Sequence, residues 1–73
     1  MAYIALIVDL PDAYRTQVRK RHRMVRVQAE AIAAENDHCR QAQVVWTNGM
    51  VGLSEAAMDC FPALELIICQ GRG

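Results

Sequence analysis

The sequence has no excess of charge, because eight lysines and arginines balance eight aspartates and glutamates. General binding to nucleic acid or to an anionic membrane depends on excess positive charge, so this balance argues against both classes of partner. Aromatic residues make up only 5% of the chain, although 53% of its residues are hydrophobic. The core must therefore be built from aliphatic side chains and alanine.

Long hydrophobic runs are also absent from the sequence. The longest, near Ile4 to Val8 and Leu64 to Cys69, are too short to span a bilayer, and no segment has the form of a signal peptide. The three cysteines, Cys39, Cys60 and Cys69, are an odd number without metal-site spacing. We therefore expect reduced, structural thiols in a cytoplasmic protein, and no metal.

The chain has no repeat, low-complexity tract or linker that would divide it. Its 73 residues are enough for one small domain, residues 1–73. A domain of this size buries only roughly 60% of its unfolded surface, so its stability should be marginal.

The last third of the chain has the pattern of a strand, a helix and a second strand. Gln43 to Trp46 and Leu64 to Cys69 are apolar runs, and a short helix begins at Ser54 between them. A crossover helix implies parallel strands and a right-handed connection. The carboxyl ends of both strands then meet at one edge of the sheet, where ligands of open α/β sheets bind. Four glycines follow these strands, with ordinary loop glycine as the alternative interpretation: Gly49, Gly52, Gly71 and Gly73.

The first half of the chain predicts two more strands and a helix. Tyr3 to Val8 is almost continuously apolar, which is typical of a central strand buried on both faces. Asp12 lies near the start of a helix whose apolar stripe is limited to Tyr14 and Val18, so we expect this helix to be largely exposed. Met24 to Val27 alternates with period two and predicts an edge strand with one solvated face.

Two further helices are predicted from composition and end signals. The segment from Gln28 to about Cys39 is rich in alanine and glutamate and indicates an amphipathic helix. Leu53 and Met58 bracket Ser54 as a hydrophobic staple brackets an N-cap, so the helix there should run to about Cys60. Pro62 follows and prevents its continuation.

Six of the eight basic residues lie between Arg15 and Arg26, including the run Arg19 to Arg23. A nuclear address or a phosphate-binding patch is one interpretation of this cluster. The other is that cations are favourable at the carboxyl end of a helix. His22 has no histidine or cysteine partner at metal-ligand spacing, so we expect a solvated histidine.

Asp37, His38 and Cys39 form a second cluster of chemically active side chains. A catalytic or metal site is one interpretation. Adjacent residues on a helix point in different directions and cannot converge, which favours a solvated turn.

Four segments of the chain resemble a known family: Thr47-Asn48-Gly49-Met50-Val51-Gly52-Leu53-Ser54, Met58-Asp59, Pro62-Ala63-Leu64-Glu65-Leu66-Ile67-Ile68 and Gly71-Arg72-Gly73. They are similar to the N-terminal part of the substrate-binding domain of NAD(P)-dependent D-isomer-specific 2-hydroxyacid dehydrogenases. This family includes the glyoxylate and hydroxypyruvate reductases. The resemblance covers residues 44–73 and, more weakly, residues 3–27.

The resemblance implies a three-layer, flavodoxin-like α/β fold with a four-stranded parallel sheet in the order 2-1-3-4, incomplete at the fifth strand. It implies that Gly49 and Met50 border a small 2-oxo or 2-hydroxy acid. The backbone amides of Arg72 and Gly73 would hold the carboxylate, and paired amides at a strand end are a sound anion site. The family usually has a small apolar residue in place of Arg72. Either Arg72 adds a contact to the carboxylate or the site is no longer used.

The residues that carry the family's chemistry have no counterpart in this sequence. It contains no Gly-x-Gly-x-x-Gly fingerprint, and neither the family's substrate-clamping arginine nor its proton-donating histidine is matched. We therefore expect a truncated piece of the enzyme that binds no NAD(P) and has no catalytic residue or dehydrogenase activity of its own. The alternative is a small α/β protein-interaction module without catalytic activity.

Without a fifth strand, Leu64 to Cys69 would form an outer strand although its composition is that of a strand paired on both sides. An apolar edge with free backbone donors and acceptors is a template for association. We expect the chain to associate with itself through this strand.

Overall fold

A computed structural model describes residues 1–70 as an α/β fold with one four-stranded, all-parallel sheet in the order β2-β1-β3-β4. The strands are β1 (Tyr3–Leu6), β2 (Arg23–Arg26), β3 (Val44–Asn48) and β4 (Leu66–Gln70). The helices are α1 (Asp12–Arg19), α2 (Asp37–Gln41) and α3 (Glu55–Met58). The flavodoxin-like order and the parallel strands are confirmed, and β2 and β4 are the outer strands of the described sheet.

β1 lies in the middle of the sheet because its side chains are apolar on both faces. It pairs with β2 on one side and with β3 on the other. The strand ends at Leu6, two residues before the predicted end, but the buried run continues through Ile7 and Val8. The Ile7 amide still donates to the Trp46 carbonyl at 2.9 Å, so the chain stays against β3 for one more residue.

Two apolar layers cover the two faces of the sheet. On one face, Val18 of α1 packs against a buried cluster made of Ile4, Leu6, Val8, Leu10, Met24 and Val44. On the other, Cys39 and Ala42 from α2 and its end, together with Phe61 after α3, pack against Ala5, Ile7, Val27 and Val45. The fold therefore has the predicted three layers, and its largest fully buried side chains include Leu6 and Val45.

The helix predicted from Gln28 to about Cys39 is wrong. The chain forms one 3-10 turn at Ala29–Ala31, becomes extended at Ile32, and begins a new helix after Asn36. Ile32 is the only large apolar side chain between Gln28 and Asn36, so a helix there would have little to bury, and packing outweighs the helix propensity of alanine. The Asn36 side chain accepts hydrogen bonds from the amides of His38 and Cys39, which starts α2 later.

The other two helices agree better with the sequence. Ser54 is the N-cap of α3, as predicted, and its hydroxyl accepts from the Ala57 amide at 3.1 Å. α1 has no buried residue, as expected, and its apolar stripe is reduced to the half-buried Val18 because Tyr14 is 56% exposed. α3 ends at Met58, two residues before the predicted end.

Within residues 1–70, no helix is long and apolar enough to cross a membrane.

Candidate functional site

The candidate site lies at the carboxyl edge of the sheet, between β1 and β3. All four strands are parallel, so their carboxyl ends share this edge. The chain leaves β1 for α1 and outer strand β2, and leaves β3 for α3 and outer strand β4. The connections after β1 and β3 therefore diverge. Such a divergence point forms a crevice, which is the usual ligand site of doubly wound sheets.

The loop after β3 is held in shape by Asn48. Its side-chain oxygen accepts from the amides of Met50 at 3.0 Å and Val51 at 2.7 Å, and its carbonyl accepts from the Gly52 amide at 2.7 Å. The buried Thr47 hydroxyl donates to the Gly52 carbonyl at 2.9 Å. This is the local turn that an asparagine side chain favours, and it makes residues 48–52 a defined loop.

Gly52 is required by the backbone of this loop, because its φ of +63° is a conformation that side chains with a Cβ rarely adopt. Gly49 has no such requirement, and a Cβ built there would meet no atom within 4 Å. The glycines that share this rim therefore have different roles. Gly52 fixes the turn, whereas Gly49 leaves open space beside the crevice.

The two predicted substrate-bordering residues lie at the expected edge. Gly49 and Met50 follow β3 directly, and Met50 is 96% exposed. The Met50 amide is already bound to Asn48, so Met50 could offer a ligand its side chain but not its amide. Asn48 pairs with Gln70, the last residue of β4, so β4 ends beside this loop. The predicted carboxylate-holding residues Arg72 and Gly73, like Gly71, lie outside the described residues.

Sequence reasoning missed an ion pair near this edge, between Arg26 at the end of β2 and Asp9 after β1. The Arg26 Nε lies 3.2 Å from an Asp9 carboxylate oxygen. The same guanidinium donates through Nη1 to the carbonyls of Ile7 at 2.7 Å and Val27 at 3.0 Å. Arg26 thus balances a carboxylate that would otherwise repel an anion at this edge. The sequence signal for this ion pair was the position of Arg26, because an arginine at the end of a strand places its charge at the edge of the sheet.

Three of the six clustered basic residues contact three different partners. Arg15 pairs with Asp12 and Arg26 with Asp9, while the Arg23 guanidinium lies 4.9 Å from the centre of the Tyr3 ring. His22 is half-buried rather than solvated, which corrects the expectation. Its Nδ1 accepts from the Ala2 amide at 2.9 Å, so this histidine joins the start of the chain to the turn before β2.

Asp37, His38 and Cys39 diverge, as predicted, but they do not form a solvated turn. Asp37 pairs with Arg40, Nδ1 of His38 hydrogen bonds to the Tyr3 hydroxyl, and Cys39 is fully buried. The three residues form the first turn of α2. In the part of the chain that the structure describes, no group of three or more histidine, cysteine or acidic side chains could hold a metal ion.

The three cysteines are free thiols in different surroundings. Cys39 lies in the core, where burial raises the pKa of its thiol. Cys60 is half-buried and packs against the same core cluster, whereas Cys69 is exposed on β4. The structural role expected for all three therefore fits Cys39 and Cys60, but not Cys69.

A shallow depression of about 330 Å³ lies at the opposite, amino edge of the sheet. Its polar lining includes His22, Gln43 and Glu65. These groups already hydrogen bond within the protein: His22 to the Ala2 amide, and Gln43 to the Tyr3 amide and to Glu65. Because the depression lies away from the diverging loops and its polar groups hold the fold together, the carboxyl edge is the better candidate site.

Comparisons with protein-family models, with curated proteins and with solved structures found no match.

Proposed function

We propose that the chain is the N-terminal part of the substrate-binding domain of an NAD(P)-dependent D-2-hydroxyacid dehydrogenase that reduces 2-oxo acids such as glyoxylate or hydroxypyruvate. The observation that carries this proposal is the position of the Asn48–Gly52 loop. In a parallel sheet of order 2-1-3-4, this loop borders the divergence point of the chain, where such a domain would bind its substrate.

The proposed ligand is a small carboxylate, held in the crevice between the loops after β1 and β3. Gly49 leaves room for it, and the exposed Met50 side chain provides an apolar border. The amides of Arg72 and Gly73 are the proposed donors to the carboxylate, as the family resemblance implies, and paired amides at a strand end are a sound anion site.

Hydride transfer requires a nicotinamide and a proton donor in contact with the substrate carbonyl. The 73 residues contain neither the glycine-rich fingerprint nor a histidine at the carboxyl edge, since His22 and His38 bond to Ala2 and Tyr3 near the start of β1. We assign these parts of the reaction to a separate nucleotide-binding domain in the cytoplasm. The 73-residue chain alone should therefore not oxidise NADH or NADPH with glyoxylate, as followed by nicotinamide absorbance.

An amide-shift titration of the 73-residue chain with glyoxylate tests substrate binding directly. We expect shifts that grow with concentration at Gly49, Met50, Arg72 and Gly73. Chloride at the same ionic strength is the control and should not reproduce them. Shifts confined to the run Arg19 to Arg23, or no shift at the carboxyl edge, would contradict the proposal.

Two glycine variants distinguish the effect of disturbing the loop backbone from the effect of adding a methyl group to the loop. Gly52→Ala places a Cβ at a positive φ and should destabilise the loop by about 1 kcal/mol, which weakens the glyoxylate-dependent shifts. Gly49→Ala is the matched control for stability only, because Gly49 borders the proposed ligand, and it should leave the free energy of unfolding almost unchanged, since open space surrounds its Cβ. An equal loss of stability in the two variants would contradict the role of Gly52 in the turn.

A protein-interaction module is the second candidate function. It is favoured by one specific observation, the exposure of the adjacent apolar residues Leu66 and Ile67 on outer strand β4.

A further inference from the structure

We infer that Arg26 is an anion-binding residue of the carboxyl edge, which receives a carboxylate or phosphate group of a small ligand in the crevice between the loops after β1 and β3. Such a contact needs the crevice but not the proposed dehydrogenase reaction. Its basis is the position of the Arg26 guanidinium and the number of its N–H groups that already have a partner.

The Arg26 guanidinium lies over the carboxyl end of the central strand. Its Nη1 donates to the carbonyl of Leu6, the last residue of β1, at 3.4 Å and to the carbonyl of Ile7 at 2.7 Å. Ile7 in turn donates its amide to the Trp46 carbonyl of β3 at 2.9 Å. The guanidinium therefore lies where the connections after β1 and β3 diverge, although Arg26 itself belongs to outer strand β2.

The fold uses only part of the hydrogen-bonding capacity of this guanidinium. Nη1 is occupied by the backbone carbonyls of Leu6, Ile7 and Val27. The edge formed by Nε and Nη2 has one contact, from Nε to an Asp9 carboxylate oxygen at 3.2 Å. Within residues 1–70, no acceptor bonds to Nη2. Arginine binds a carboxylate or a phosphate through two parallel hydrogen bonds, and the Nε–Nη2 edge is suited to this geometry.

Asp9 holds the Nε–Nη2 edge only weakly. Its side chain is 93% exposed, whereas that of Arg26 is 31% exposed. An ion pair with so exposed a carboxylate contributes little, because water screens the charges and the side chains must be ordered. An incoming oxyanion can therefore bind Nη2 beside Asp9 or replace Asp9 at Nε. Asp9 lies in the connection between β1 and α1, so the edge that it contacts faces one of the two loops that border the crevice.

The carbonyl contacts also prepare the guanidinium for binding. They hold the Arg26 side chain in place before a ligand arrives, so binding costs little of the conformational entropy that a long side chain otherwise loses. Arg21, by contrast, is exposed in the turn before β2, at the opposite edge of the sheet. Arg26 thus offers the crevice a fixed, positively charged pair of donors, which fits a small oxyanion.

Titration of the 73-residue chain with glyoxylate, and separately with inorganic phosphate, tests this contact by NMR. At least one anion should shift the Arg26 Nε–H signal, and chloride at the same ionic strength should not. A response to phosphate alone would assign the contact to a phosphate group, and a response to glyoxylate alone would assign it to a carboxylate. No shift of the Arg26 signal with either anion would overturn the inference.

A pair of arginine variants separates this contact from the effect of net charge. Arg26→Gln should raise the dissociation constant of the bound anion about tenfold, because hydrogen bonds from a charged donor to an anion are strong. Arg21→Gln removes the same charge from the opposite edge and should leave the constant unchanged. Equal effects of the two substitutions would overturn the assigned role of Arg26.

Asp9→Asn keeps the test valid if Arg26→Gln fails to fold. Asp9 is exposed and its carboxylate bonds to Arg26 alone within residues 1–70, so the variant should fold as the parent does. Loss of the competing carboxylate should lower the dissociation constant of the anion about threefold. An unchanged or higher constant in Asp9→Asn would overturn the inference.

The role of Arg26 and the proposed substrate site can fail separately in these titrations. Glyoxylate-dependent shifts at Gly49 and Met50 that Arg26→Gln leaves unchanged would support the proposed substrate site and overturn the role of Arg26. Phosphate binding that requires Arg26, without any response to glyoxylate, would support the role of Arg26 and contradict the proposed substrate.

Discussion

β2 and β4 are both outer strands of one parallel sheet, and each presents one edge to its surroundings in the described chain. β2 has the sequence Arg-Met-Val-Arg, and the Arg26 guanidinium folds back over the carbonyls at the end of the central strand. β4 has the sequence Leu-Ile-Ile-Cys-Gln, and four of its five residues are exposed. The two outer strands of the described chain therefore differ in charge and in side-chain exposure.

The difference between the two strands lies in the charge of their side chains and not in their position in the sheet, since both are outer strands. At β2, the positive charges oppose pairing with another copy of this strand. The Arg26 guanidinium donates to the carbonyls of Leu6, Ile7 and Val27, which lie on the side of β2 that faces β1. β4 offers apolar side chains and no charge.

Removing the Arg26 guanidinium at the end of β2 should have the largest effect on stability. Arg26→Ala deletes a half-buried guanidinium that bonds to the carbonyls of Ile7 and Val27 and pairs with Asp9. We expect the free energy of unfolding to fall by about 2 kcal/mol, since hydrogen bonds from a charged group to carbonyls are stronger than neutral ones. Urea unfolding measures the change. Arg21→Ala, at an exposed turn position, is the control, and an equal loss there would contradict this role of Arg26.

The thiols of the core and of β4 should differ in reactivity. Cys69 on the open edge is exposed, whereas Cys39 is buried and burial raises the pKa of its thiol. Alkylation at pH 8 should therefore be roughly tenfold or more faster at Cys69, as mass spectrometry of the cysteine-containing peptides would show. Similar rates at both thiols would mean that Cys39 is not protected by the core.

The same shift in pKa has a consequence for stability at high pH. In the unfolded chain the Cys39 thiol loses its proton near the ordinary value of 9.0, whereas in the folded chain it keeps the proton to higher pH. The unfolded state then binds fewer protons, so the free energy of unfolding should decrease as pH rises above 9.0. Cys39→Ala should reduce this dependence in urea unfolding measured at several pH values.

The smallest effect is expected at the other end of β2. Arg23 lies over the Tyr3 ring at the solvent surface, where a cation–π contact contributes about 0.5 kcal/mol. Arg23→Ala should lower the free energy of unfolding by that amount, and Arg23→Lys should restore part of it. A loss as large as that of Arg26→Ala would show that the two arginines do not differ in role.

Much of the fold could be predicted because its signals are local. The apolar run from Tyr3 marks the central strand, and Ser54 between a strand and a polar segment marks the start of α3. The prediction of one helix over residues 28–39 was wrong because tertiary packing decides the structure there. Alanine and glutamate favour helix locally, but only a segment that places Cys39 and Ala42 against the sheet could bury apolar surface, and Asn36 begins the helix there.

The candidate site was predictable in place but not in detail. Glycines after two apolar strands indicated the carboxyl edge, and Gly49 and Met50 lie there. Two details of the site could not be predicted: Asn48 binds the Met50 amide, and Arg26 pairs with Asp9, which is 17 positions away in the sequence. Both contacts depend on side-chain directions, which the spacing of residues does not specify.

By itself, the sequence determined the number of strands and the cap of α3, because hydrophobic periodicity and turn chemistry act over a few neighbouring residues. The order of the strands was expected from the family resemblance and not from these local signals. Only the tertiary structure decided which contacts the side chains of the two outer strands make. The Arg26 guanidinium donates to the carbonyls of Leu6 in β1 and of Ile7 just after it, whereas Leu66 and Ile67 are exposed. The physical reason is that burial and hydrogen bonding at an edge depend on neighbours distant in sequence.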